Sequence, residues 1–171
     1  MFEQFKAGVQ LPPGGKYGQS QQVFWDSVEG ENGAMLGNSG DGLTEEVQTA
    51  DISAVRTRQS QHHGQYLYVT MDDSFLHDQD IPVRIELTYL DSGCDAIRLE
   101  YDSSDPNGSV HQGAFKFGGE ESVGSSGHWK MVSFDVTDGR FVNRCNGADF
   151  RFAVTGGALT VRRVLIEKLA P

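Results

Sequence analysis

The sequence holds 24 acidic side chains and five histidines, so carboxylate chemistry is the first to look for. Paired carboxylates cleave glycosidic bonds when they stand about 5–5.5 or 6.5–9.5 Å apart across a cleft. With this many acids some pair meets that spacing by chance, and pairing alone carries no weight. Carboxylates also hold Ca²⁺, which takes six to eight oxygens at roughly 2.3–2.6 Å. Asp72-Asp73, Asp78, Asp80, Glu31 and Asp149 could supply such oxygens, and Asp26, Glu29 and Asp149 are the candidate metal set. No stretch has the EF-hand spacing D-x-[DN]-x-[DN]-G. His62-His63 is the one adjacent histidine pair. Neighbours on a strand point to opposite faces, so the pair chelates nothing unless it lies in a loop. Cys94 and Cys145 lack C-x-x-C spacing and make no zinc site. Whether they pair with each other depends on geometry and redox compartment.

Catalytic signatures are missing. The chain contains no G-x-S-x-G, H-E-x-x-H, Walker A or G-x-G-x-x-G. Tyr101, His111 and Arg98 have the residue types of a lyase base and charge neutraliser, but no lyase signature surrounds them. No enzyme activity is expected. Asn107-Gly108-Ser109 fits a glycosylation sequon and reads as a chance match. The formal net charge is −10. A duplex-binding protein needs a basic face to neutralise phosphates, so neither nucleic acid nor an anionic membrane is an expected partner. No apolar run reaches the ~18–20 residues of a membrane helix, and residues 1–20 have no apolar signal-peptide core.

Any such residues must be positioned by strands. Residues 1–20, with Pro12-Pro13-Gly14-Gly15, read as an arm or linker, and residues 21–171 as a single domain. Residues 23–28 begin the strands. Residues 30–42, with five glycines, read as a loop able to hold a ligand or ion. The Thr49-Ala50-Asp51 turn divides 46–56 into two short strands. Residues 66–71 are β-branched and aromatic. Residues 82–90 alternate cleanly, with Val83, Ile85, Leu87 and Tyr89 on one face. Residues 96–101 alternate again, so 82–102 reads as a hairpin. A weaker strand is expected at 110–117. Further strands follow at 128–136, at 149–154 with Phe150, Phe152 and Val154 inward, and at 159–169 with a register break near Arg162-Arg163. Eight or nine short strands without a helical stripe indicate an all-β sandwich or barrel.

Several stretches together carry a resemblance. They are YLYVTMDDSFLHDQDIPVRIELTYLDSG (66–93), AIRLEYDSS (96–104), GHWKMVSFDVTDGRFVNRCNGADFRFAV (127–154) and LTVRRVLI (159–166). Over residues 66–166 the chain resembles the jelly-roll, carbohydrate-binding-module-like domains appended to bacterial polysaccharide-degrading enzymes. The resemblance implies a two-sheet antiparallel β-sandwich of jelly-roll type with little or no helix. It implies a non-catalytic module that tethers a linked, secreted catalytic domain to its polysaccharide. It also implies an extracellular or cell-surface location, and structural Ca²⁺ between a strand near the N-terminus and the last strand. Two other readings stand beside it: a structural or assembly sandwich that binds no sugar, and a small lyase or hydrolase. Sugar binding needs aromatic faces for the apolar side of the ring and oriented polar groups for its hydroxyls. Trp25, Tyr66, Tyr68 and Trp129 are the aromatic candidates, and Asn143, Arg144 and Asn146 the polar ones. Trp129, at a strand start, also reads as core. The stretch 140–149 also reads as scaffold, with Asp149 bonding backbone amides.

Overall fold

Alternation sorts the apolar side chains to one face of each strand, and two such faces close on each other. The computed structural model describes residues 15–38, 40–61 and 64–170, and these contain twelve strands and no helix. One sheet has seven strands. Its path is β10 (Trp129–Val136), β7 (Val83–Leu90), β12 (Thr160–Lys168), β1 (Gln22–Asp26) and β2 (Gly30–Asn32). The start of β12 also pairs with β5 (Ile52–Thr57), which carries β4 (Thr44–Thr49). The other sheet runs β3 (Ala34–Gly37), β6 (Gln65–Met71), β11 (Phe150–Thr155), β8 (Ala96–Tyr101) and β9 (Lys116–Ser122). All of these strand pairings are antiparallel. This is the two-sheet sandwich expected from the resemblance.

The core lies between the sheets. Val83, Ile85, Leu87 and Tyr89 of β7 meet Leu67, Val69 and Met71 of β6 and Phe150 and Phe152 of β11 in one buried cluster. Phe134 of β10 and Phe152 pack across the gap with ring centres 6.2 Å apart, and Phe152 meets Phe150 edge-on at 5.7 Å. Each fully buried side chain of this size contributes roughly 1.5–3 kcal/mol. Tyr17, in the segment read as an arm, packs on this core and donates its amide to Ser74 Oγ. The part of that arm before residue 15 and the His62-His63 pair lie outside the described residues.

The β4–β5 hairpin turns on Ala50 and Asp51, both at positive φ (48° and 65°), the geometry of a tight two-residue hairpin. The register break in β12 falls between Val161 and Arg163.

Three local expectations are corrected. Residues 82–102 are not a hairpin: β7 and β8 belong to opposite sheets. The loop after β9 captures the Asp91 carboxylate through Gly124 N, Ser126 N and Ser126 Oγ. Asp95 then donates its amide to Thr155 O of β11, which carries the chain across the sandwich. Residues 110–115 are not strand. Gln112, Gly113 and Phe115 all have positive φ, which extended backbone cannot accommodate, so β9 starts only at Lys116. Residues 30–42 are not all loop. They contain β2 in one sheet and β3 in the other, with the crossing at Gly33 (φ 80°). A Cβ there would stand 2.4 Å from Val23 Cγ1, so the crossing requires glycine.

Candidate functional site

On β6 the core takes Leu67, Val69 and Met71, which turns Tyr66, Tyr68 and Thr70 to the outer face of the five-stranded sheet. On β11, Phe150, Phe152 and Val154 face the core, so Arg151 and Ala153 face outward beside the two tyrosines. Register completes the arrangement. Arg151 lies opposite Tyr68 on one side and Glu100 of β8 on the other, and Glu100 lies opposite Phe117 of β9.

Arg151 is the hub. Its Nε donates to Glu100 Oε2 at 2.5 Å and its Nη1 to Tyr68 Oη at 2.7 Å. Its guanidinium carbon lies 3.9 Å from the Tyr66 ring centre and 4.2 Å from that of Phe115. Stacking of this kind favours a flat, delocalised cation over a point charge. Burial works against the Arg151 charge, and Glu100 and Tyr68 more than offset it, so the guanidinium is held above its usual pKa. Tyr68 Oη donates to Asp41 Oδ1 and accepts from Asn146 Nδ2, both at 2.8 Å. Burial pushes the Tyr68 phenol above its ordinary range, so it remains a neutral donor at pH 7.

A recess of about 600 Å³ opens on this hub, lined by Tyr66, Phe115, Arg151, Asn146, Asp41 and His111. A smaller one of about 250 Å³ shares Asp41 and Asn146 and continues past Tyr68 to Gly37 and Thr70. Such volumes fall near the ~300–1,000 Å³ range of small-ligand sites. Beside them Arg98 stacks on Phe117 at 4.8 Å and faces Glu120 at 3.6 Å. Phe117 is 52% exposed. The face therefore offers aromatic surface interleaved with oriented hydrogen-bond groups.

The sequence candidates divide among several places. Tyr66, Tyr68 and Asn146 come together here. Arg144 touches the rim of the recess, but its bonds are committed elsewhere. Its Nε donates to Asp102 Oδ1 at 2.8 Å, and Nη2 and Nη1 donate to Ser103 O and Gln112 O. Asp102, fully buried, also accepts the amides of Val142 and Arg144. This pair ties the 140–149 loop to the end of β8. Asn143 lies in the same loop, with Nδ2 3.4 Å from Asp73 Oδ1. Trp25 joins the core and is 8% exposed, its remaining edge lining a separate recess beneath the β4–β5 hairpin. Trp129 pairs opposite Leu90 at the edge of the other sheet, with the Arg162 guanidinium 5.8 Å from its ring centre.

The metal set is divided too. Asp26 accepts the amides of Val28 and Glu29 and ion-pairs with Arg163 at 2.9 Å, while Glu29 lies 3.9 Å from the same guanidinium. Burial alone would raise the Asp26 pKa, but the two amides and Arg163 outweigh it and hold it below the usual value. Arg163 thus supplies the positive charge at the end of β1, and these residues do not fit a cation there. Asp149 sits instead at the start of β11, where its Oδ2 accepts the Met71 amide at 2.8 Å. Among the described residues no three His, Cys, Asp or Glu side chains converge as metal ligands.

Arg151, Phe115, Asp41 and Glu100 join the candidate site although neither their type nor their spacing marks them in the sequence. The alternation in 149–154 already turns Arg151 outward, and the pairing register that sets it against Tyr68 was the missing piece.

No protein-family model matches the chain, and no curated protein sequence is significantly similar to it. Solved structures do match. The CBM22-2 xylan-binding domain of Paenibacillus barcinonensis Xyn10C is 12% identical with a TM-score of 0.54, over 85% of this chain and 98% of that one. The CBM22-1–GH10 modules of Clostridium thermocellum Xyn10B, complexed with xylohexaose, are 13% identical with a TM-score of 0.54, over 89% of this chain and 29% of that one. The fold is that of the carbohydrate-binding-module sandwiches.

Proposed function

We propose that this domain is a non-catalytic glycan-binding module, with the outer face of the five-stranded sheet as its binding surface. The observation that carries the reading is the Tyr66–Arg151–Phe115 stack, which lines a recess together with Asp41 and Asn146, both hydrogen-bonded to Tyr68. Ring faces suit the apolar side of a sugar, and the fixed amide, carboxylate and guanidinium suit its hydroxyls. Joined to a polysaccharide-active enzyme in a secreted protein, the module would raise the local substrate concentration. A single-site affinity of ~10–1000 μM would suffice for that role.

The test is affinity electrophoresis of the domain through gels carrying a polysaccharide panel, in Ca²⁺ and in EDTA. Xylan belongs in the panel because one of the two neighbours described is named a xylan-binding domain and the other belongs to a xylanase complexed with xylohexaose. Retardation in at least one gel, lost in Tyr66→Ala, supports the proposal. A flat response across the panel removes it. Weight would then shift to an assembly role for the other sheet, where Trp129 and the 63%-exposed Met131 lie on one strand. New reducing ends on incubation with the same polysaccharides would overturn the non-catalytic reading.

A further inference from the structure

The loop that closes over the end of β6 holds two buried oxygens with no hydrogen-bond partner, Asn143 Oδ1 and Asp149 Oδ1. Asp149 is 1% exposed. Its other oxygen accepts the Met71 amide, and the Asn143 amide also faces its carboxyl. A buried acceptor left without a partner costs about 1–3 kcal/mol, and an unpaired buried carboxylate costs more. Four carboxylates in this loop region find side-chain partners: Asp102 with Arg144, Asp78 with Arg140, Asp73 with His77 Nδ1 at 3.2 Å, and Asp72 with the hydroxyl of Ser74, whose amide it also accepts. Asp149 does not. The side-chain charges that act on it most strongly, Asp73 and Asp102, are both negative.

We propose that Asp149, Asn143 and Asp73 form a site for a hard divalent cation of the Ca²⁺ type. Asp149 Oδ1 and Asn143 Oδ1 supply the buried oxygens. Asp73, whose side chain is largely open to solvent, supplies a second carboxylate on the outer side, where the Asn143 side chain already meets it. Two carboxylates and an amide oxygen form an all-oxygen set suited to Ca²⁺, with carbonyls and water completing the six to eight ligands it takes. A water donating to both buried oxygens would satisfy their hydrogen bonds and leave the Asp149 charge in place. A cation satisfies the oxygens and neutralises the charge together. The rival neutraliser is a proton, since burial pushes the Asp149 carboxyl up to about 7. The site lies away from Asp26 and Glu29, where Arg163 takes the cation's place.

The test uses the whole domain, stripped with EDTA and held at pH 8 so that Asp149 is largely ionised. Calorimetry then follows Tm during titration with CaCl₂, with MgCl₂ in parallel. Saturable Ca²⁺ binding is expected to raise Tm by roughly 5 °C or more once Ca²⁺ reaches about 100 times its Kd. Mg²⁺, which demands tighter octahedral geometry, is expected to give a much smaller shift. Asp73→Asn, at an exposed position, is expected to weaken Ca²⁺ binding about tenfold with an unchanged Tm in EDTA. Asn143→Gly retains the positive φ of 63° at this position and removes the amide oxygen, so the shift should disappear. No Ca²⁺-dependent shift at pH 8 overturns the proposal, as does a shift that survives both substitutions. Because Tm is the readout, the result stands or falls apart from glycan binding.

Discussion

The guanidinium carbon of Arg151 lies 3.9 Å above the Tyr66 ring, although the two residues sit 85 positions apart on neighbouring strands. The contact fixes the tilt of Tyr66 in the lining of the recess, while Glu100 and Tyr68 fix Arg151 itself. A ligand therefore meets a platform already ordered, and little entropy is lost in arranging it. Tyr66→Ala and Phe115→Ala should each weaken glycan binding about tenfold, near 1.4 kcal/mol, with Tm within a few degrees of the parent. Affinity electrophoresis read beside thermal melts checks this. A large drop in Tm would mean that the stack belongs to the scaffold.

Arg144 is predicted to behave differently despite lining the same recess. It pairs with a fully buried Asp102 and closes onto the carbonyls of Ser103 and Gln112. Removing one partner of such a pair leaves a buried charge uncompensated, at a cost of about 3–5 kcal/mol. Arg144→Ala should lower Tm by roughly 6 °C or more in a chain of this size. Arg144→Lys should recover little of that, because an ammonium cannot span the same fork of acceptors. Thermal melts of the two variants decide the point. A parent-like Tm for Arg144→Ala would return this residue to the ligand contacts.

What could be read from the sequence follows the range of the interactions involved. Period-two alternation is local, and it located β6, β7, β8, β10, β11 and β12 and the inward Phe150 and Phe152. Turn chemistry is also local, and it split β4 from β5 at Ala50-Asp51. Sheet membership is not local. Whether β8 pairs with β7 or β11 depends on Asp91 being held by Gly124 and Ser126, more than thirty residues away. The site was legible in halves for the same reason. Tyr66 and Tyr68 stood out by type, but Arg151 is an ordinary outward residue until register sets it between Tyr68 and Glu100. Trp25 and Trp129 drew attention as large aromatics, and alternation places the first with Val23 in the core and the second with Met131 on the other sheet.

The two cysteines are predicted to be unreactive in the native fold. Cys94 and Cys145 are both buried and unbonded to each other. Burial pushes their thiols up, to about 11 for Cys94 and about 12 for Cys145. The attacking species is the thiolate, which is scarce at such values. A thiol-reactive chromogen at pH 8 should react slowly or not at all with the folded domain and should count both thiols after denaturation. Dithiothreitol should leave Tm unchanged. A Tm that falls on reduction would show that the two are bridged.

Asp91 should govern part of the response to acid. Its carboxyl is held well below the ordinary range by Lys130 first, then by the Ser126 hydroxyl and the Gly124 amide. The folded pKa thus lies below the unfolded value of about 3.9. For a depressed carboxyl the unfolded chain binds the extra proton, so stability rises with pH across the interval between the two values. The contribution is full above about pH 4 and fades as the pH falls below it. Asp91→Asn keeps the size of the side chain and cannot titrate. It should lower Tm at pH 7, where it removes the Lys130 ion pair and the oxygen that accepts from Ser126, and it should flatten the loss of stability between about pH 4 and pH 2. Denaturant melts of parent and variant across that range would show converging curves. Parallel curves would mean that Asp91 has the same proton affinity in the folded and unfolded chain.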